Sequence, residues 1–240
     1  MGLVSNNTST ILGTVMTKTA ILIPARYHST RFPGKPLCDL GGKPMIDRVI
    51  DTCVQTGLRT IVLTDDIRIH KHVSDKCMVF MDPSDYQNGT ERCAGAIKDD
   101  WLDGYDQFIN VQGDMPDVTV EMIERVKSTI PQSGVATAWT EMKESLQSDP
   151  NTVKLVHNNV YAHWFGRGIT YGSQHLGIYG YSRKALAMYR TTPSNYELHE
   201  GLEQLRWFKL NQKMGITRVD FDGIEINTSD DAEKWNVENK

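Results

Sequence analysis

The sequence predicts an α/β protein with a mixed, mainly parallel central sheet flanked by helices and a smaller β-rich subdomain near residues 135–181. Short apolar runs at 19–23, 60–63 and 108–111 have the length of buried strands, and helix-periodic stretches separate them. The first run breaks at Pro24 into a loop carrying Arg26, Arg31 and Lys35. A basic loop at the carboxyl end of a first parallel strand is where an open α/β sheet holds an anionic ligand.

Taken in order, residues 1–18 are rich in Ser, Thr and Asn, with no basic start and no continuous apolar core. They read as a disordered extension rather than a signal peptide. Residues 19–240 read as one domain, with no repeat and no dividing linker. Between Arg26 and Lys43 stand four basic residues and one acid, in a chain of net charge -4. Pro33-Gly34-Lys35-Pro36 stiffens that loop. Gly41-Gly42-Lys43-Pro44 then turns into a helix whose apolar face is Met45, Ile46, Val49, Ile50, Cys53 and Val54, stopping at Gly57. A second strand at 60–63 ends at Thr64-Asp65-Asp66, and a third follows at 77–81.

Residues 82–90 form a loop before a helix starting near Glu91. The strand at 108–111 delivers Gln112-Gly113-Asp114. An acid beyond a strand end, opposite a basic loop, can hold a magnesium ion against substrate phosphates. A lone Asp after a Gly is also an ordinary turn residue. A helix over 121–130, a strand over 135–139 and a hairpin turning at Asn158-Asn159 follow. A helix is expected over about 197–212, and a strand near 216–219.

Composition excludes several classes. The mild net acidity of -4 speaks against a nucleic-acid binder. No apolar run approaches the length of a membrane span. Cys38, Cys53, Cys77 and Cys93 lack C-x-x-C spacing, so reduced thiols in a cytoplasmic compartment are expected. Gly34-Lys35-Pro36 is not a G-K-[ST] phosphate loop, and no G-x-G-x-x-G follows the first strand.

The stretch Pro24-Ala25-Arg26-Tyr27-His28-Ser29-Thr30-Arg31-Phe32-Pro33-Gly34-Lys35-Pro36-Leu37 closely resembles the signature of the CMP-KDO synthetase (3-deoxy-manno-octulosonate cytidylyltransferase) family. The likeness runs from about Ala20 to Asp231 and includes Val111-Gln-Gly-Asp114, His175-Leu-Gly-Ile-Tyr-Gly-Tyr181 and Leu202-Glu-Gln-Leu-Arg206. It implies a Rossmann-like nucleotidyltransferase that transfers CMP from CTP to the hydroxyl of KDO or a related sugar acid, releasing pyrophosphate. It also implies Mg²⁺ dependence, a homodimer meeting through the β-rich region, and a cytoplasmic role in nucleotide-sugar and lipopolysaccharide biosynthesis.

Carried over residue by residue, the resemblance gives Arg26, Arg31, Lys35 and Asp114 catalytic roles. It assigns the nucleotide to Ala25, Arg26, Ser29, Lys35, Thr64, Asp65, Gln87, Gly89, Thr90, Arg92 and Gln112, and the acceptor to Arg167, His175, Tyr179, Glu203 and Gln204. Asp114 and Asn227 are the expected metal ligands, although Asn227 stands where the family has an aspartate and Glu225 is a substitute carboxylate two residues earlier. Asn88 replaces a serine and is not carried over; Met115 replaces a glutamate. The stretch 168–174 is shortened and contains no basic residue, which leaves open a non-acidic sugar acceptor, and the altered metal position at Asn227 leaves open a homologue that binds nucleotide without turnover.

Overall fold

A computed structural model describes residues 17–29, 32–98 and 100–239. Residues 1–16, most of the expected extension, lie outside the described residues, as does Arg31. The first strand, β1 (Thr19–Pro24), is buried at every position but its last. It pairs in parallel with β4 (Arg59–Thr64) and β6 (Gln107–Val111). Between them come the two-residue strands β2 (Asp39–Leu40) and β3 (Lys43–Pro44), then α1 (Met45–Gln55). Strand β5 (Met78–Met81) extends the sheet beside β4, after α2 (Ile67–Val73).

The chain continues through α3 (Gly89–Ala96), β6, α4 (Val120–Ser133) and β7 (Val135–Thr140). The hairpin β8 (Lys154–His157) and β9 (Ala162–Gly166) turns at Asn159, whose φ of 68° is left-handed. Strand β10 (Ser173–Ser182) re-enters the sheet antiparallel to both β6 and β7. Three short helices follow: α5 (Arg183–Met188), α6 (Asn195–Glu200) and α7 (Arg206–Lys209). Strand β11 (Gly215–Arg218) pairs in parallel with β7, and α8 (Ser229–Glu238) closes the fold.

The strand order is β11-β7-β10-β6-β1-β4-β5, with the β8–β9 hairpin branching from β10. All strands of that path except β10 run one way, so the mainly parallel sheet is as expected. Region 135–181 holds β7 to β10; β7 and β10 belong to the central sheet, and only the hairpin stands off its path.

Alternation along β1 serves two cores. Ala20 and Leu22 face one containing Cys93 and Ala94 of α3 and Leu186 of α5. Ile21 and Ile23 face the other, with Val49 of α1, Ile69 of α2 and Val126 of α4. Helices therefore cover both faces, as buried parallel strands require. Two expectations differ in detail. Val54 is 48% exposed, because α1 buries a narrower stripe ending at Cys53. The helix expected over 197–212 is broken: α6 ends at Gly201 with φ 64°, and a single 3₁₀ turn at Glu203–Leu205 precedes α7. A left-handed glycine is a common helix stop.

Candidate active site

The parallel strands deliver their carboxyl ends to one side of the sheet. β1 leads into Ala25 and the basic loop, β4 into Thr64-Asp65-Asp66, and β6 into Gln112-Gly113-Asp114. The exits of β1 and β6 pass so closely that a Cβ on Gly113 would lie 3.0 Å from the Pro24 carbonyl oxygen. Gly113 thus permits Asp114 to face the basic loop.

Two connected cavities open there. The smaller, about 260 Å³, is lined by Ala25, Arg26, Ser29, Lys35, Gln87, Gly89, Arg92, Gln112 and Asp114. The larger, about 610 Å³, is lined by Arg167, His175, Tyr179, Glu203, Gln204 and Glu225. Gln87, Asn88, Gln112, Asp114 and Asn227 belong to both. The residues expected to bind nucleotide and those expected to bind acceptor therefore gather in adjoining chambers, with Asp114 at the boundary.

Lys35 Nζ donates to Asp114 Oδ2 at 2.7 Å and to the Ile226 carbonyl at 3.0 Å. It enters on a 3₁₀ turn (Lys35–Leu37) set up by Gly34 at φ 73°. Tyr27 supports that turn, since a Cβ on Gly34 would meet its hydroxyl at 3.0 Å. Arg68 in turn stacks 3.3 Å over the Tyr27 ring and grips Asp66 through two nitrogens.

Three expected nucleotide residues stand one layer behind the chamber wall. Thr64 is fully buried and accepts from the Asp66 amide at 3.2 Å. Asp65 Oδ2 holds Arg92 at 2.9 Å. Thr90 shares its hydroxyl with Tyr181 at 2.8 Å. None of the three lines either cavity.

In the larger chamber His175 Nε2 lies 2.9 Å from Thr137 Oγ1, and its ring meets Phe165 edge-on. Burial, reinforced by the Arg167 charge, brings this imidazole down to about 3, so it is neutral near pH 7. Tyr179 donates to Gln204 Oε1 at 3.4 Å. Glu203 accepts from the Thr90 amide at 2.9 Å and from Gln112 Nε2 at 3.0 Å. Burial nevertheless pushes its carboxyl up to about 7. Glu225 accepts from the Gly177 amide at 3.0 Å, and a Cβ on Gly177 would stand 3.0 Å from that same oxygen. Burial, then the Asp114 charge, also pushes Glu225 up to about 7. Arg167 donates to the Asn151 carbonyl at 2.5 Å.

Sequence reasoning passed over Asn88. It caps α3, its Oδ1 accepting the Glu91 amide at 2.8 Å. The order Asn88-Gly-Thr-Glu91 is a legible helix-start signal. The segment holding Glu225 and Asn227 is not a strand. It is instead pinned where the Ile226 amide donates to the Asp114 carbonyl at 2.9 Å. Asp114, Glu225 and Asn227 offer oxygen donors, and among the described residues no three His, Cys, Asp or Glu side chains are grouped so as to hold a metal ion by themselves. That set fits a hard cation that keeps water and phosphate oxygens as its remaining ligands.

A mainly parallel sheet that opens a basic chamber onto a polar one across a shared carboxylate can hold a phosphate-bearing nucleotide beside an acceptor, as a nucleotidyltransferase does. The chain belongs to the cytidylyltransferase family, whose family model matches residues 20–216. A 3-deoxy-manno-octulosonate cytidylyltransferase of Parabacteroides distasonis is 36% identical, the match covering 89% of this chain and 94% of that one. An 8-amino-3,8-dideoxy-manno-octulosonate cytidylyltransferase of Shewanella baltica is 39% identical over 89% and 95% of the two chains. A solved CMP:2-keto-3-deoxy-manno-octonic acid synthetase complexed with CTP superposes with a TM-score of 0.84 at 33% identity, covering 92% of this chain and 98% of that one.

Proposed function

We propose that this chain transfers CMP from CTP to a hydroxyl of KDO or a close relative, releasing pyrophosphate. The observation that carries the reading is the boundary at Asp114 and Gln112, shared by a chamber with Arg26, Lys35 and Arg92 and a chamber with sugar-binding polar groups. The acceptor oxygen forms a bond to the α-phosphorus as the bond to the bridging oxygen breaks, pyrophosphate departs with that oxygen, and the hydroxyl proton passes to water. Such a transfer needs positioning and charge neutralisation more than a reactive side chain. Arg26, Lys35 and Arg92 offset triphosphate charge; Gln112, anchored on Glu203, orients groups at the boundary. Held at Asp114 with Asn227 or Glu225, Mg²⁺ would polarise the α-phosphate. Excess chelator is expected to abolish turnover.

Arg167 and Lys234 are the Arg and Lys side chains lining the larger chamber, and there is no basic residue in 168–174. Pyrophosphate release with CTP, comparing KDO with neutral sugars and weighing the nucleotide product, tests the reading. A neutral sugar used at higher kcat/KM than KDO would overturn the acidic acceptor.

The reading extends to a homodimer in the cytoplasm. It is supported by β9, an edge strand that among the described residues pairs with β8 alone, because an unpaired edge is a template for pairing with another chain. Four free thiols suit a reducing compartment. Among the described residues no helix is long and apolar enough to cross a membrane. Sedimentation showing only monomer at micromolar concentration would remove the dimer.

A further inference from the structure

The geometry points to Arg206, with Glu91 and Glu197, as a positioning cluster that pre-sets a corner shared by both chambers. This rests on reading those chambers as nucleotide and acceptor sites. Arg206 is completely buried at the start of α7. Its Nε and one terminal nitrogen donate to the two oxygens of Glu197, at 2.8 and 2.5 Å. The other terminal nitrogen stands 2.7 Å from Glu91 Oε1 and also reaches the carbonyls of Tyr189 and Thr191. Enclosing an arginine between carboxylates brings a desolvation cost that their attraction barely offsets, so such a cluster is a weak stabiliser.

What the cluster holds gives a better account of it. Glu91 Oε2 accepts the Gln87 amide at 2.9 Å. Asn88 reaches both acids' elements: its Oδ1 accepts the Glu91 amide at 2.8 Å, and its Nδ2 donates to Glu197 Oε1 at 3.5 Å. Gln87 and Asn88 line both chambers, whereas Glu91 and Arg206 line neither. Glu197 itself lines the larger chamber, so Glu91 and Arg206 act on ligands through that corner and through Glu197.

A corner fixed in advance spares each ligand the entropy of ordering it. Once it is loosened, the first ligand must order it and the second finds it ordered. Each then binds more weakly alone, and positive coupling between them grows. A residue that merely stabilises the fold would lower the melting temperature without changing coupling. A residue that contacts one ligand would weaken that ligand alone.

Replacing Arg206 strands Glu197 as a buried, unpaired charge and risks unfolding, so Glu91→Ala carries the test. Arg206 then keeps Glu197 and its two carbonyls, while Gln87 loses its tether. The full chain is titrated calorimetrically with a CTP analogue bearing an α,β-methylene bridge and with KDO, each alone and with the other saturating. In Glu91→Ala each is expected to bind about tenfold more weakly alone, the factor for a corner competent about a tenth of the time. The ratio of analogue affinities with and without KDO should rise by the same factor over wild type. Weakening of one ligand only, or of both with an unchanged ratio, overturns the proposal.

A second arm follows amide exchange at residues 87–91, with faster exchange expected in the unliganded variant and protection restored by the analogue. Unchanged exchange overturns the proposal as well. Wild-type protein that binds the analogue but not KDO would sink the acceptor assignment, while the exchange arm still judges the corner.

Discussion

At Lys35 a single ammonium neutralises Asp114 at 2.7 Å and ties down the Ile226 carbonyl at 3.0 Å, with its side chain only 16% exposed. A charge so placed acts in a partly dry site, where preorganised donors count for more than in water. Lys35→Ala is expected to lower kcat by about a hundred- to a thousandfold, roughly 2.7–4 kcal/mol of transition-state stabilisation. Steady-state pyrophosphate release measures it, and near-normal turnover would put the triphosphate elsewhere. The sequence marks Lys35 and Asp114 separately, each by charge at a strand end. Their meeting across 79 residues was not legible in periodicity; the parallel sheet brings it about. A motif also does not distinguish a side chain that touches a ligand from one that holds a neighbour. Thr64, Asp65 and Thr90 therefore fall one layer behind the wall, with Asp65 gripping Arg92. Asn88 shows the reverse: a departure from the family pattern whose capping role was readable from its own spacing.

Among the elements, β10 carries the most consequence, because on the main path of the sheet it is the strand that opposes the others and it brings His175 and Tyr179 to the acceptor chamber. Its register shifts between Leu176 and Tyr179. Gly177 in that bulge makes room for Glu225. Gly180 makes room for α4: a Cβ there would lie 2.6 Å from Ile130 Cγ1 and 2.9 Å from Val126 Cγ1. Gly180→Ala is thus expected to overpack this contact and to cost about 1–3 kcal/mol. Denaturant unfolding would register it, and an unchanged midpoint would mean that α4 is free to shift. Strands were the legible elements, since buried apolar runs with breakers at both ends leave few alternatives. The segment 195–209 was not, because a chamber wall built from two short helices and a 3₁₀ turn has no sustained period. Its one sequence cue is Gly201, whose left-handed φ lets the chain turn and present Glu203.

For the molecule as a whole, enclosing ionisable side chains in the wall of the larger chamber links stability to pH. The Glu203 carboxyl rises from an ordinary 4.5 to about 7, chiefly through burial. The folded state therefore holds this proton more tightly than the unfolded chain does. The contribution is complete below about 4.5 and is lost as pH rises through about 7. His175 works in the opposite sense: burial lowers it from 6.5 to about 3, so its share is present above 6.5 and lost as pH falls towards 3. Between 4.5 and 6.5 the two slopes oppose each other, and a bare melting curve would conceal both. Glu225, also raised to about 7, adds a slope of the same sign as Glu203. The informative quantity is the melting temperature of wild type minus that of Glu203→Gln, in which His175 and Glu225 cancel. That difference is expected to fall as pH rises from about 4.5 to about 7, then to level off. A difference flat across this interval would mean that Glu203 ionises as it does in water. The chamber wall at Gln112 and Glu203, backed by Thr90, would then be open to solvent.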